Sequence, residues 1–195
     1  MNQVNSVCVY SASSTQIPAP YREAACQLGR ILAERRIRLI NGAGHMGLMG
    51  ACSDACLEAG GTVTGVIPHF MVEQGWHHRK LSQLIETPDM HTRKETMARL
   101  SDGIIALPGG VGTLEELLEI ITWKQLGLYA KPIVILNIEG FFDPLLAMLQ
   151  RAVSEHFMRP EHAAIWQVAS TPAEAVEALY TIPYWDETVR KFAAL

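Results

Sequence analysis

Short apolar runs alternate with longer segments of helical periodicity along almost the whole chain, and this alternation constrains the fold more than any other feature of the sequence. Several apolar runs are continuous, as expected for strands that helices cover on both faces. Strands that alternate with helices indicate an open, mostly parallel sheet. We therefore predict an α/β fold, a Rossmann-like doubly wound sheet with helices on both faces, formed by residues 1–195 as a single domain.

The pattern predicts strands at residues 4–10, 37–40, 62–67, 84–86, 103–107 and 133–137. It predicts helices at residues 21–35, 46–59, 90–100, 111–128, 142–157 and 172–179, with Asp89 as the N-cap of the third. Ligands of such sheets bind beyond the carboxyl ends of the strands. We therefore expect the site in four loops, at residues 11–14, 41–47, 68–80 and 108–112. Tyr184 and Trp185 are expected to pack on the domain or on a partner subunit.

Composition excludes several classes of function. The net charge is -4 and the basic residues do not cluster, which excludes a nucleic-acid-binding surface. No apolar segment is long enough to cross a bilayer, and the first residues do not resemble a signal peptide. The four cysteines form no Cys-x-x-Cys pair, so we expect free thiols in a cytoplasmic protein. We expect no metal, because no histidine stands at zinc-ligand spacing from Cys52 and Cys56.

Residues 41–47 contain a Gly-x-Gly-x-x-Gly pattern between a predicted strand and a helix. This pattern is typical of dinucleotide sites, but it normally follows the first strand and needs an acidic residue at the end of the next one. Here it follows the second strand, and no acid stands between Gly60 and Val72. A turn that brings the backbone close to a smaller ligand is therefore favoured, and a turn needed only for helix–strand packing stays open.

Residues 107–116 read Leu-Pro-Gly-Gly-Val-Gly-Thr-Leu-Glu-Glu, between a buried strand and a helix. Three glycines let the backbone approach an anion, and the free N–H groups and dipole of the helix favour a phosphate. The Gly-Lys-Ser/Thr ending of a Walker loop is missing, so ATP hydrolysis is not indicated.

The following helix carries two apolar stripes. One is expected to face the sheet and comprises Leu114, Leu117, Leu118, Ile121 and Leu128. The other lies on nearly the opposite side and comprises Glu116, Ile120, Trp123 and Gly127. Apolar residues on an outer face predict that another subunit covers it, which would place Glu116 in a partly dry environment.

Arg93 lies on the apolar face of the preceding helix. An arginine there is costly unless its guanidinium meets a phosphate or a carboxylate, or unless the side chain reaches the surface past its neighbours. Together with the anion loop and Glu116, Arg93 fits a site for a phosphorylated substrate.

Two motifs together resemble the Lonely Guy family of cytokinin riboside 5′-monophosphate phosphoribohydrolases. They are Met-His-x-Arg-Lys-x-x-Met at residues 90–97 and Pro-Gly-Gly-x-Gly-Thr-x-x-Glu at residues 108–116, and the resemblance extends over residues 4–179. It implies a homodimer with active sites at the subunit interface, and no metal or organic cofactor. The reaction it implies is hydrolysis of the N-glycosidic bond of a purine nucleoside 5′-monophosphate, of the cytokinin or adenosine type, to free base and ribose 5-phosphate.

The resemblance also implies that Arg93 and Glu116 are catalytic. The residues it implies in substrate binding are Glu73, Lys94, Gly109, Gly110, Val111, Gly112, Thr113, Leu114, Glu115 and Thr122. We expect Glu116 to stabilise the positive charge that develops on the ribose. Arg93 is expected either to assist departure of the base or to position Glu116.

The chain departs from the family pattern at two loops. Residues 11–14 read Ser-Ala-Ser-Ser where the family has a Cys-Gly-Ser-like segment, and residues 42–44 read Gly-Ala-Gly instead of Gly-Gly-Gly. We expect the methyl group of Ala43 to narrow the pocket and to affect the base preference.

Two alternative functions are a nicotinamide-dependent oxidoreductase and a non-catalytic nucleotide-binding or sensing module. An oxidoreductase would need an acidic residue to bind the ribose of its cofactor, and this chain lacks that residue at the expected place. A non-catalytic module would not need Arg93 and Glu116 together, so the presence of both residues counts against it. A pyridoxal-dependent lysine decarboxylase is not indicated, because nothing marks a Schiff-base lysine.

Overall fold

The computed structural model describes residues 2–186. Within them, seven parallel strands form one sheet in the order β4-β3-β2-β1-β5-β6-β7. The strands are β1 (Ser6–Tyr10), β2 (Arg38–Asn41), β3 (Val63–Pro68), β4 (Gln83–Thr87), β5 (Ile104–Ala106), β6 (Ile133–Leu136) and β7 (Gln167–Ala169). The helices are α1 (Ala19–Glu34), α2 (Gly47–Glu58), α3 (His69–Glu73), α4 (Met90–Leu100), α5 (Val111–Gln125), α6 (Asp143–Ser154) and α7 (Pro172–Thr181).

Apolar side chains cover both faces of the sheet, which confirms the predicted α/β doubly wound fold. On one face Val7 and Val9 of β1 pack with residues of α1, α2 and α7. On the other face Cys8 and Tyr10 pack with residues of α4, α5 and α6. Successive side chains of a strand point to opposite faces, so a strand buried on both faces must be apolar throughout.

The strand order reverses next to β1. From β1 the chain proceeds through β2, β3 and β4 towards one edge, then crosses to β5 and continues through β6 and β7 towards the other. The loops after β1 and β5 therefore diverge at the carboxyl end of the sheet. In doubly wound sheets this switch point is the usual place for a ligand.

The predicted elements are all present, and four short ones were missed: the strand β7, the helix α3, and two 3-10 helices at Ile138–Gly140 and Pro160–Ala164. The strand β7 has three residues, two of them exposed, so it lacks an apolar run. The helix α3 has five residues, none of them buried, and therefore lacks an apolar face. Asp89 is the N-cap of α4, as predicted: its carboxylate accepts a hydrogen bond of 2.8 Å from the Thr92 N–H, and this bond lowers the pKa of Asp89.

The predicted orientation of α5 was right for Leu117 and Ile121, which are buried, and wrong for Leu118 and Leu128. The buried face of this helix comprises Thr113, Glu116, Leu117, Ile120, Ile121 and Lys124. Ile120 belongs to the core of the same chain, whereas Leu118 and Leu128 of the stripe assigned to the sheet are exposed. The apolar residues of α5 span a wider arc of the helix than the part that contacts the sheet. Periodicity alone therefore predicted the wrong centre for the buried face. Ile120 therefore gives no support to a partner subunit.

The segment after α7 packs on the domain, one of the two predicted places. The backbone N–H of Trp185 donates to the Ala130 carbonyl at 2.8 Å. The buried ammonium of Lys124 lies 5.8 Å from the centre of the Trp185 ring. None of the described helices is both long and apolar enough to span a membrane.

Candidate active site

A cavity of about 470 Å³ opens at the carboxyl end of the sheet, over the switch point between β1 and β5. All four predicted ligand loops contribute to its wall. They provide Ser11–Ser14 after β1, Gly42, Gly44, His45 and Met46 after β2, Met71 and Trp76 after β3, and Gly110, Val111 and Gly112 after β5. The cavity thus lies at the loops where the topology predicts a ligand.

The start of α5 forms one end of the cavity. Leu114 N–H makes the first bond of the helical ladder, to the Gly110 carbonyl at 3.0 Å. The N–H groups of the three preceding helical residues therefore have no partner within the helix. Gly110, Val111, Gly112 and Thr113 all line the cavity. Unpaired N–H groups and the positive end of the helix dipole favour a phosphate at this place.

Gly109 allows this loop to close tightly. A Cβ atom at that position would overlap Oγ1 of Thr113, which is itself buried. The glycine thus brings the loop backbone directly against the first turn of α5.

Arg93 and Glu116 form a buried ion pair in the wall of the cavity. Nη1 of Arg93 lies 3.4 Å from Oε1 of Glu116, and the two side chains are only 8% and 9% exposed. Arg93 also donates from Nε to the Val66 carbonyl at 3.1 Å and from Nη2 to the Gly42 carbonyl at 3.4 Å. The arginine on an apolar face has therefore met a carboxylate, one of the outcomes that the sequence left open.

The glycine loop after β2 holds this arginine. A Cβ atom at Gly42 would overlap Nη2 of Arg93. Gly47 has φ +64°, and a Cβ there would lie 2.6 Å from the Ala12 carbonyl oxygen. The loop therefore does more than join a helix to a strand, since its backbone shapes the cavity and fixes the guanidinium.

The expected effect of Ala43 on the pocket was wrong. Ala43 is fully buried and has φ +63°. Its methyl group points at β3, where a Cβ on Gly65 would lie 2.6 Å from it. The residue thus lies outside the cavity wall, and the absence of a side chain at Gly65 makes room for it.

The buried carboxyl of Glu116 is a weaker acid than an exposed glutamate. Removal of the carboxyl from water raises the pKa of Glu116 to about 7, although the positive charge of Arg93 acts to lower it. Near neutral pH, both protonation states of this side chain are therefore populated. A carboxyl with such a pKa can accept a proton from water and return it.

Lys94 lies outside the cavity wall. Its buried ammonium forms ion pairs with Glu115 and, at 3.0 Å, with Glu119, both on α5. Burial acts to lower the pKa of Lys94, but the hydrogen bonds to the two carboxylates outweigh it and raise the pKa. The Lys94–Glu115 ion pair thus joins α4 to α5 directly beside the Arg93–Glu116 pair, because Lys94 follows Arg93 and Glu115 precedes Glu116.

Five other predicted binding residues also lie outside the cavity wall of the same chain, namely Glu73, Gly109, Leu114, Glu115 and Thr122. Glu73, at the end of α3, is exposed and lies 3.4 Å from His69. Thr122 is exposed and donates its hydroxyl to the Leu118 carbonyl at 2.8 Å. Leu114 packs against the core beside α4. Their roles in binding stay predictions.

The structure adds residues that the sequence did not single out. Met46, Met49, Met71 and Trp76 give one end of the cavity an apolar wall. The hydroxyl of Ser11 is buried at the switch point with no hydrogen-bond partner among residues 2–186. Met49 lies on α2. The other side chains stand in loops predicted to bind a ligand, but loop residues have no periodicity that reveals where they point. Within the same range, no group of three or more His, Cys, Asp or Glu could hold a metal ion.

Fold and site together define a class: a Rossmann-like α/β protein with a cavity at its switch point and a buried Arg–Glu ion pair in the cavity wall. The sequence model of the family described as possible lysine decarboxylase matches residues 49–179. The probable cytokinin riboside 5′-monophosphate phosphoribohydrolase LOGL2 of Oryza sativa subsp. japonica is 45% identical over 173 residues, which cover 89% of this chain and 71% of the relative. LOG7 of Arabidopsis thaliana, a cytokinin riboside 5′-monophosphate phosphoribohydrolase, is 44% identical over 186 residues, which cover 95% and 86%. The chain belongs to this family, the Lonely Guy family that its motifs resemble.

Solved structures agree with the fold. The protein TM1055 has a TM-score of 0.70 and 26% identity, over 91% of this chain and 99% of that one. A Moco carrier protein from Chlamydomonas reinhardtii also has a TM-score of 0.70, with 23% identity over 92% and 98% of the two chains. At that identity the second likeness supports the architecture alone.

Proposed function

We propose that this chain hydrolyses the N-glycosidic bond of purine nucleoside 5′-monophosphates, releasing the free base and ribose 5-phosphate. The observation that carries the proposal is the buried Arg93–Glu116 pair, one helical turn from unpaired N–H groups that favour a phosphate. The relatives named above are cytokinin riboside 5′-monophosphate phosphoribohydrolases, which supports the same reaction.

The spacing along α5 suits a ribose 5-phosphate. Gly112 and Glu116 are four residues apart, which corresponds to about 6 Å along a helix. A phosphate held at the first turn would place C1′ of its ribose beside Glu116. Fixing the phosphate thus orients the scissile bond and reduces the entropy lost on the way to the transition state.

In the proposed reaction, water adds across the C1′–N9 bond. The bond breaks with its electron pair on the base, and the ribose develops an oxocarbenium-like charge that ionised Glu116 stabilises. Water attacks C1′ and gives a proton to Glu116, whose pKa of about 7 allows it to accept and release that proton. The products are ribose 5-phosphate with a new hydroxyl at C1′ and a base that has gained one proton.

Arg93 acts in this scheme by positioning Glu116. A guanidinium does not lose its proton in proteins, so it cannot protonate the leaving base. Arg93 instead spans the Gly42 and Val66 carbonyls and the Glu116 carboxylate, and it holds the carboxylate at the cavity wall. We assign Lys94 a related role, since its ion pairs to Glu115 and Glu119 fix α5.

We further propose that the chain works as a homodimer. Two apolar residues on the outer face of α5, Val111 and Leu118, are 83% and 39% exposed, and Val111 lines the cavity. Thr122 lies one turn beyond Leu118 on the same face. A second copy of the chain on this face would cover Val111 and Leu118, and it could bring Thr122 and Glu73 of one copy to the cavity of the other.

The four free cysteines suit the cytoplasm as the compartment.

Chromatography of released base tests the reaction. Purified protein is incubated separately with AMP, isopentenyl-AMP, GMP, CMP and adenosine. We expect free base from the adenine monophosphates and none from adenosine, because adenosine has no phosphate for the start of α5. Release from adenosine at the same rate would contradict the role of that loop, and no release from any nucleotide by a folded sample would contradict the reaction.

A further inference from the structure

The cavity extends away from the phosphate end towards the carboxyl ends of β2 and β3. The phosphate end belongs to the loop after β5, and the sheet continues from there in the order β1, β2, β3. A nucleotide whose phosphate lies at α5 and whose C1′ lies at Glu116 therefore directs its base towards the wall formed by Met49, Met71 and Trp76. Under the function proposed above, this wall is the base end of the cavity.

Trp76 belongs to a segment, residues 74–80, that crosses the glycine loop after β2; we name this segment the strap. The Trp76 carbonyl lies 3.0 Å from Nδ1 of His45. His77 forms an isolated antiparallel bridge with Gly44, and the His78 N–H donates to the Ala43 carbonyl at 2.8 Å. These contacts at Trp76 and at the two residues after it fasten the strap to the same loop that holds Arg93.

The side chain of His78 fastens the strap to helix α2 as well. The buried ring of His78 lies 2.9 Å from Oδ1 of Asp54 through Nε2, and its Nδ1 accepts the Lys80 N–H at 3.1 Å. Nδ1 is therefore the acceptor and Nε2 the donor in this arrangement. A tryptophan on such a segment contacts a ligand without first having to order its own backbone.

The indole of Trp76 is held at the cavity although much of it is not covered by protein. The residue is 48% exposed and lines the cavity together with Met71 and Met49. Its backbone N–H donates to the Met71 carbonyl at 3.2 Å. Aromatic rings stack on any base in proportion to its flat area, and thioethers pack well against aromatic systems. A large exposed ring at the base end thus offers a stacking surface for a purine.

We propose that Trp76 is a base-binding residue that stacks on the purine base of the substrate. The proposal rests on the function proposed above, because that function sets the direction of the nucleotide in the cavity. Trp76 contributes to binding of the base and leaves binding of the ribose phosphate unchanged.

Calorimetric titration of Glu116→Gln protein separates these two contributions, because this background binds AMP without consuming it. Ribose 5-phosphate is titrated in parallel, since it has the phosphate and sugar but no base. We expect Trp76→Ala to weaken AMP binding by at least about fivefold and to leave ribose 5-phosphate binding unchanged. Trp76→Phe is expected to retain most of the AMP affinity and to lose the part of the fluorescence quenching that AMP causes through Trp76.

Phe70→Ala is the matched control. Phe70 is an aromatic residue of the adjoining helix α3, is 51% exposed and lies outside the cavity wall. This variant is expected to bind both ligands as the parent does.

The outcomes distinguish failure of this inference from failure of the proposed function. Equal affinity of the parent and Trp76→Ala for AMP overturns the stacking role, and so does an equal loss of affinity for AMP and ribose 5-phosphate, which marks a structural role. A parent protein that binds neither ligand, together with wild-type protein that releases no base, overturns the proposed function itself.

Discussion

Replacing Glu116 with glutamine should make the protein more stable and less active at the same time, and the gain in stability should depend on pH. Burial raises the pKa of Glu116 from 4.5 to about 7. The folded chain therefore binds this proton more tightly than the unfolded chain does. The stability that the proton provides is fully present below pH 4.5 and is lost as the pH rises through about 7. Glutamine resembles the protonated side chain at every pH and avoids this loss.

The size of the effect follows from the two pKa values. A tenfold change in acidity corresponds to about 1.4 kcal/mol, so full ionisation of Glu116 costs about 3 kcal/mol of folding free energy. At pH 8 we expect Glu116→Gln to be more stable than the wild type by up to about 3 kcal/mol, which for a chain of this length is a rise in Tm of about 6–12 °C. At pH 5 the difference should fall below about 1 kcal/mol.

Urea unfolding of both proteins at pH 5 and pH 8, at one protein concentration, measures this difference. Base release in the same samples should fall by at least about 10²-fold in the variant, the usual effect of losing a general acid–base group. Equal stability of the two proteins at pH 8 would refute the raised pKa. Wild-type turnover in a folded variant would refute the catalytic role.

Three further predictions follow from the surroundings of the same pair. Arg93→Ala removes the positive charge that lowers the pKa of Glu116, so the acid limb of the pH–rate profile should shift to higher pH along with a loss of turnover, and an unshifted limb would contradict the ion pair. Gly42→Ala places a Cβ atom on Nη2 of Arg93; kcat should fall by about tenfold or more while binding of ribose 5-phosphate is kept, and unchanged kcat would show that the guanidinium can move without consequence. Leu118→Glu puts a charge on the exposed stripe of α5, so light scattering should show a monomer in place of a dimer, with Glu139→Gln, an exposed residue of the 3-10 helix after β6, as the control; a dimer in both variants would place the interface elsewhere.

The sequence predicted the fold because its strands are apolar on both faces and its helices have strong boundary signals. Asp89 illustrates this, since a cap is a local hydrogen bond that depends on few neighbours. The strand β7 illustrates the limit: three residues with two exposed side chains carry no pattern. What makes that segment a strand is its pairing with β6, which is a property of the folded sheet.

The sequence likewise predicted some features of the candidate site and not others. Arg93 stood out because a charge on an apolar face needs a partner, and the structure brings it to Glu116. The face of α5 could not be placed, because Leu118 and Ile120 are both apolar and only the folded sheet decides which is buried. Ala43 was misjudged for a backbone reason: with φ +63° its methyl group points away from the cavity, and sequence alone does not reveal such a dihedral angle. Trp76 lies in an irregular segment whose direction depends on contacts with the glycine loop.

The measurement that tests the central claim most directly compares wild-type and Glu116→Gln protein with isopentenyl-AMP as substrate. Released base and ribose 5-phosphate are quantified together at pH 8, where the wild-type carboxyl is ionised. We predict equal amounts of the two products from the wild type and at least about 10²-fold slower release from the variant, with the same fold shown by circular dichroism. Equal rates in the two proteins, or no base from the folded wild type, would contradict the account.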